Sequence, residues 1–161
     1  MAKALIPGTY DPVTYGHLDI IERASQIFDT IVIGVAASPG KNGRGTLFTL
    51  EERVTFIEQA TAHIDNVCVM PFNQLLVNFA VEVGARAIVK GLRALTDFES
   101  EFQQASINYQ LAPKLETVFI MSTPANMYLS SSMVKEVAAL HGTVSSWVPR
   151  DVEVALCERF A

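Results

Sequence analysis

The chain has 161 residues, 50% of them hydrophobic and 18% charged, with a formal net charge of -5. That length suits a single domain spanning residues 1–161 with a sizeable core. The acidic balance, with no broad basic stripe, excludes a general nucleic-acid binder but leaves room for a small phosphorylated ligand.

Strand-like and helix-like segments alternate along the chain. Ala4-Leu5-Ile6 reads as a short strand ended by Pro7-Gly8, after which Leu18, Ile21, Ala24 and Ile27-Phe28 follow at helical spacing. Ile31 to Ala37 is a continuous β-branched and small apolar run, the pattern of a strand buried on both faces. Thr49 and Glu52 form a capping box that starts a helix to about Ala62. Asn66 to Met70 is a third strand, and a helix from about Asn73 to Val83 is closed by Gly84. Arg86 to Val89 is a fourth strand, ended by Lys90-Gly91. A second capping box, Thr96-Asp97-Phe98-Glu99, opens a long helix to about Leu111. Thr117 to Met121 is a fifth strand, Ser130-Ser131-Ser132 precedes a helix to about Leu140, and Gly142 breaks the chain. Pro149 falls in the first turn of a last helix. Strands separated by helices predict an α/β fold: a doubly wound, five-stranded parallel sheet with helices on both faces, Rossmann-like.

Every apolar stretch is far shorter than the ~20 residues of a membrane span. The N-terminus meets Pro7-Gly8 too soon for a signal-peptide apolar region, so a cytoplasmic, non-membrane protein is expected. Cys68 and Cys157 have neither zinc-ligand nor disulfide-framework spacing, and read as buried or half-buried free thiols.

Doubly wound sheets bind ligands beyond the carboxyl ends of their strands. Residues 7–17, 38–48, 90–96 and 122–132 are the loops predicted at that edge. Lys41, Arg44, Lys90 and Arg93 each follow an apolar run there, so they are either phosphate-binding cations or solvated loop charges. In the first loop, Gly8 permits close approach, Thr9 offers a hydroxyl and an N–H, Pro12 stiffens the turn and His17 stands at a helix N-terminus. Such a terminus carries unpaired N–H groups and partial positive charge, which suit phosphate. The spacing matches neither the dinucleotide fingerprint nor the Walker P-loop. His17 alone could equally be a helix cap; its setting, with a hydroxyl-rich helix start at Ser130-Ser131-Ser132-x-x-Lys135, favours function.

Thr14-x-Gly16-His17 together with that serine-rich helix start resembles the nucleotidyltransferase superfamily that includes class I aminoacyl-tRNA synthetases. The resemblance narrows to the bacterial phosphopantetheine adenylyltransferases. It is carried by Pro7-Gly8-Thr9-Tyr10-Asp11-Pro12-Val13-Thr14-x-Gly16-His17, Phe48-Thr49-Leu50-Glu51-Glu52-Arg53, Lys90-Gly91-Leu92-Arg93 with Asp97-Phe98-Glu99, and Ser130-Ser131-Ser132-Met133-Val134-Lys135-Glu136-Val137. It covers essentially the whole chain.

The resemblance implies transfer of the adenylyl group of ATP to 4′-phosphopantetheine, giving dephospho-coenzyme A and pyrophosphate, the penultimate step of coenzyme A synthesis. It also implies Mg2+ carried mainly on the ATP phosphates, no protein metal site, a homohexamer, and feedback by coenzyme A. By the same resemblance the catalytic set is His17, Lys41, Lys90 and Arg93. The ATP site is Thr9, Tyr10, His17, Gly91, Leu92, Arg93, Glu101, Asn126, Met127, Tyr128, Leu129, Ser130, Ser131 and Ser132. Thr9, Lys41, Leu76 and Lys90 serve phosphopantetheine. Glu101 and Leu76 also admit plainer roles, as an exposed helix charge and as helix packing. Some relatives carry Arg at the position of Lys90, which keeps the charge but loses the bidentate fork. The Lys41-to-Phe48 loop is slightly longer than in several relatives, and Arg44 within it is read as exposed. A nicotinate-mononucleotide adenylyltransferase or a cytidylyltransferase is the nearest alternative, and a non-catalytic nucleotide sensor the more distant one.

Overall fold

Five parallel strands form one sheet in the order β3-β2-β1-β4-β5. The computed structural model describes residues 1–37, 45–93 and 95–161, with residues 95–97 described as backbone. The elements run β1 Lys3–Gly8, α1 Tyr15–Ser25, β2 Thr30–Ala36, α2 Leu50–Thr61, β3 Val67–Phe72, α3 Leu76–Glu82, β4 Ala87–Leu92, α4 Leu95–Leu111, β5 Glu116–Met121, α5 Ser131–Ala139 and α6 Arg150–Arg159. A 3-10 turn, Pro124–Asn126, links β5 to α5.

Alternation along the strands divides the core. Ala4, Ile6, Ile31, Ile33, Val35, Ala87 and Val89 pack on one face with α1, α2, α5 and α6. Leu5, Val32 and Ile88 point the other way, onto Val77, Phe79 and Ala80 of α3 and onto Leu115. Each central strand therefore buries both faces, which is why β2 reads as an unbroken apolar run.

The chain winds outward from β1 to β2 and β3, then returns to place β4 on the other side of β1. That reversal makes the β1/β4 boundary a topological switch point. Six residues of β1, Lys3 to Gly8, pair with β2. Against β4, pairing is confined to Ala4–Ala87 and Leu5–Ile88. The ladder ends just before Pro7, which has no N–H to donate. Beyond that point β1 and β4 part, and a cleft opens between their carboxyl ends.

Several boundaries differ from the sequence reading. β1 passes through Pro7-Gly8 because β2 continues beside it. β3 extends through Pro71 to Phe72, as an edge strand can, since a missing N–H there costs no ladder bond on the open side. β4 includes Lys90, Gly91 and Leu92, registered against Phe119, Ile120 and Met121 of β5. α3 begins at Leu76 rather than Asn73, and α4 begins at Leu95, one residue before the expected cap Thr96. α1 stops at Ser25, short of Phe28.

The stops follow known chemistry. Gly84, at φ 72°, follows α3 in a Schellman motif, with Ala85 N–H donating to Ala80 O at 2.8 Å. α5 ends the same way, but the left-handed residue is His141, at φ 58°, and Gly142 comes one position later. Cys68 and Cys157 are free thiols, both exposed where buried or half-buried positions were expected. Cys68 lies on the edge strand and Cys157 on the outer side of the last helix. No described helix is long and apolar enough to cross a membrane.

Candidate active site

The cleft at the β1/β4 switch point has a volume of ≈ 390 Å³. Its walls come from the β1–α1 turn (Gly8, Thr9, Tyr10, Thr14, His17), the end of β4 (Lys90, Gly91, Arg93), Glu101 of α4, Ser122 after β5, and Leu129 to Ser132. Fifteen of the residues expected at the site fall within 9–17, 90–93, 101 and 126–132 of the described chain, and eleven of them line this cleft.

The turn is built from the inside. The Tyr10 ring is buried and its hydroxyl donates to Ile6 O at 3.1 Å. A Cβ on Gly8 would lie 2.8 Å from that ring, so glycine is required for close approach at a φ that is not positive. Burial pushes the Tyr10 hydroxyl pKa well up. Tyr10 itself takes the left-handed conformation, at φ 52°.

His17 is both cap and cleft residue. Thr14 is the N-cap of α1, and its side chain accepts from His17 N–H. In return Nδ1 of His17 accepts the Thr14 backbone N–H at 3.0 Å, taking the part usually played by Glu or Gln in a capping box. An Nδ1 that accepts this bond leaves the proton of the neutral imidazole on Nε2. His17 lines the cleft, and its Nε2 has no described partner. Burial, and then the charge of Arg93, lower its pKa to about 4. At neutral pH His17 is therefore an uncharged N–H donor.

The remaining polar groups are held at definite points. Lys90 Nζ stands 3.2 Å from Glu101 Oε2. Arg93 Nη1 donates to Leu129 O at 2.9 Å, fixing β4 to the segment before α5. Ser130 is the N-cap of α5, with Oγ accepting Met133 N–H at 3.2 Å. Ser131 Oγ donates to Pro12 O at 2.8 Å, so its proton is already engaged. Ser132 lines the cleft with a hydroxyl that no described residue holds. The amino end of α5 thus faces the cleft with partial positive charge.

Other expected residues lie elsewhere. Leu76 packs beneath the opposite face of the sheet, against the cluster around Leu5 and Phe79. Asn126, Met127 and Tyr128 form the stretch leading to Leu129, with Asn126 Nδ2 donating to Thr123 Oγ1 and Tyr128 exposed. Leu92 ends β4 without lining the cleft. Lys41 and Arg44 lie outside the described residues.

Two supports were not read as such from the sequence. Asp11 is buried, and its carboxylate accepts the N–H groups of Phe48 and Leu47, both at 2.9 Å, and the Lys135 ammonium at 2.7 Å. Burial alone would raise its pKa, but the bonds from Lys135, Phe48 and Leu47 outweigh it and hold the carboxyl below its usual range. Arg53, 1% exposed, donates through Nη1 to Thr9 O at 2.7 Å and to Ala36 O at 2.9 Å. Both residues stand inside the quoted motifs, but nothing local shows that Asp11 reaches across 124 positions to Lys135.

The hydroxyl–imidazole contact among the described cleft residues, Thr14 Oγ1 with His17 Nδ1 at 3.1 Å, belongs to the α1 capping box. The cleft offers cations, hydroxyls, a neutral imidazole N–H and a helix terminus, all suited to aligning polyanions and neutralising moving charge. Glu101, already facing Lys90, is the one described carboxylate in its wall.

The comparisons with known proteins bear on fold and family. Over its whole length the chain resembles a protein of Vibrio parahaemolyticus assigned provisionally as a nicotinate-nucleotide adenylyltransferase, at TM-score 0.68 and 17% identity. That similarity covers 99% of this chain and 95% of the other, and establishes the fold. The cytidylyltransferase-like family matches residues 5–137, from the second residue of the apolar run in β1 through the serine-rich start of α5 and most of that helix. The chain belongs to the cytidylyltransferase-like family of nucleotidyltransferases.

Proposed function

We propose that this nucleotidyltransferase transfers the adenylyl group of ATP to 4′-phosphopantetheine, releasing pyrophosphate and forming dephospho-coenzyme A. The observation that carries the reading is the joining of His17, Lys90, Arg93 and the Ser130–Ser132 helix start in one cleft at the switch point. The Lys90-Gly91-Leu92-Arg93 and Phe48-Thr49-Leu50-Glu51-Glu52-Arg53 segments favour the phosphopantetheine enzymes over others on this scaffold.

The acceptor phosphate is ionised near neutral pH, so it attacks the α-phosphorus without a general base. The P–O bond to the pyrophosphate breaks as the new phosphoanhydride forms, and charge moves onto the leaving group. His17 Nε2–H donates to phosphate oxygen where that charge grows, and Arg93 adds positive potential from the end of β4. Lys90 binds the acceptor phosphate, exchanging Glu101 for it, and Lys41 serves the same substrate. The Ser130 and Ser132 hydroxyls and the α5 amino end hold the nucleotide phosphates. Mg2+, when present, would be held mainly by the ATP phosphates and would lower the charge of the triphosphate. The working form is a homohexamer in the cytoplasm, subject to coenzyme A at the shared substrate site.

A substrate panel tests the reading. ATP and CTP are each offered with phosphopantetheine, nicotinate mononucleotide and glycerol phosphate, and pyrophosphate is followed. Release with ATP and phosphopantetheine alone supports it. Release only with nicotinate mononucleotide, or only with CTP, assigns the chain to another transferase on the scaffold.

A further inference from the structure

Arg53 is the largest side chain sealed in the interior, and it makes no salt bridge with a described residue. Its Nε has no hydrogen-bond partner among the described residues. A buried guanidinium so incompletely bonded is expensive, and an apolar side chain of similar volume commonly serves stability as well or better. Its presence calls for a reason beyond packing.

The reason lies in the peptide it holds. Arg53 draws the Thr9 carbonyl toward the interior, at 2.7 Å. Thr9 C=O and Tyr10 N–H belong to one trans peptide, in which the two groups point in opposite directions. With the carbonyl inward, the Tyr10 N–H faces the other way, and Gly8, Thr9 and Tyr10 all line the cleft. That N–H donates to no described residue. Tyr10 holds the far side of the peptide, through its left-handed φ and its hydroxyl bond to Ile6 O. A flipped peptide would instead present the Thr9 carbonyl, an acceptor, to a polyanion.

We infer that Arg53 is a positioning residue that locks the Thr9–Tyr10 peptide with its N–H turned into the cleft as a phosphate donor. The inference rests on the proposed use of ATP. Its second bond, to Ala36 O at 2.9 Å, ties the same guanidinium to the end of β2, so the turn is set against the rigid sheet.

Calorimetry with ATP and with adenosine tests it on the wild type, Arg53→Met and Arg53→Lys. Arg53→Met weakens ATP binding by roughly tenfold or more, the size of one charge-assisted hydrogen bond, and leaves adenosine within about twofold. Arg53→Lys, which keeps a donor to the carbonyl, restores most of the loss. Equal ATP binding in wild type and Arg53→Met overturns the inference, as does equal loss for ATP and adenosine. Should Arg53→Met not fold, the Tyr10 amide resonance of the wild type decides. It shifts with ATP and stays with adenosine if its N–H meets phosphate, and an unmoved resonance overturns the inference. A wild type that binds no ATP refutes the underlying nucleotide reading instead, and so is told apart.

Discussion

At the scale of single residues, His17 is a helix cap that also lines the cleft. Its sequence setting allows a cap or a functional donor. The two ring nitrogens divide the roles, since Nδ1 accepts the Thr14 N–H and Nε2 is left for the cleft. His17→Ala therefore does two separable things. It removes part of a capping box, costing about 1 kcal/mol in a urea melt. On the proposed function it also removes a transition-state donor, lowering kcat by roughly 10²–10³ in a pyrophosphate-release assay. The pKa of about 4 gives a second prediction. The unfolded histidine, at 6.5, binds a proton that the folded one refuses, so His17 contributes stability fully above pH 6.5 and loses it as pH falls toward 4. In the ligand-free protein the His17 resonances titrate near pH 4, and His17→Asn makes stability between pH 6.5 and 4 less pH-dependent. Titration near 6.5 would refute the neutral-donor assignment.

At the scale of elements, the strands and helices were legible because their apolar periodicities are local. β2 announced itself as a double-faced strand, and the Thr49–Glu52 capping box forms as read. The ends were less legible where partners decide them. β4 carries Lys90 and Gly91 only because β5 pairs with them, and β1 crosses Pro7-Gly8 only because β2 does so beside it. The site was legible as motifs, because phosphate handling needs recognisable residue types. Its supports were not, since Asp11, Lys135 and Arg53 are ordinary charges until the fold brings them inward. Asp11 joins the turn after β1 to the start of α2 and to α5. Asp11→Ala leaves the Leu47 and Phe48 N–H groups unpaired, at about 1–3 kcal/mol each when buried, so a total loss of about 2–6 kcal/mol is expected by urea denaturation. Lys135→Ala costs less, because 30% of that side chain is exposed and water replaces part of the pair.

At the scale of the whole molecule, the doubly wound sheet and the loops at its carboxyl edge were predictable from βαβ alternation, but which two strands part there was not. The cleft exists because β1 and β4 pair only through Leu5–Ile88 and then separate, a property of strand order that periodicity cannot encode. The expected hexamer is checked by light scattering, where the proposal predicts about six times the 17.6 kDa of one chain. The central claim is that the cleft joins ATP to phosphopantetheine. It is tested most directly by pyrophosphate release from ATP and Mg2+, with and without 4′-phosphopantetheine. The account predicts release that requires the acceptor, with dephospho-coenzyme A formed in equal amount. No release above background with phosphopantetheine, from protein that is folded and binds ATP, would contradict it.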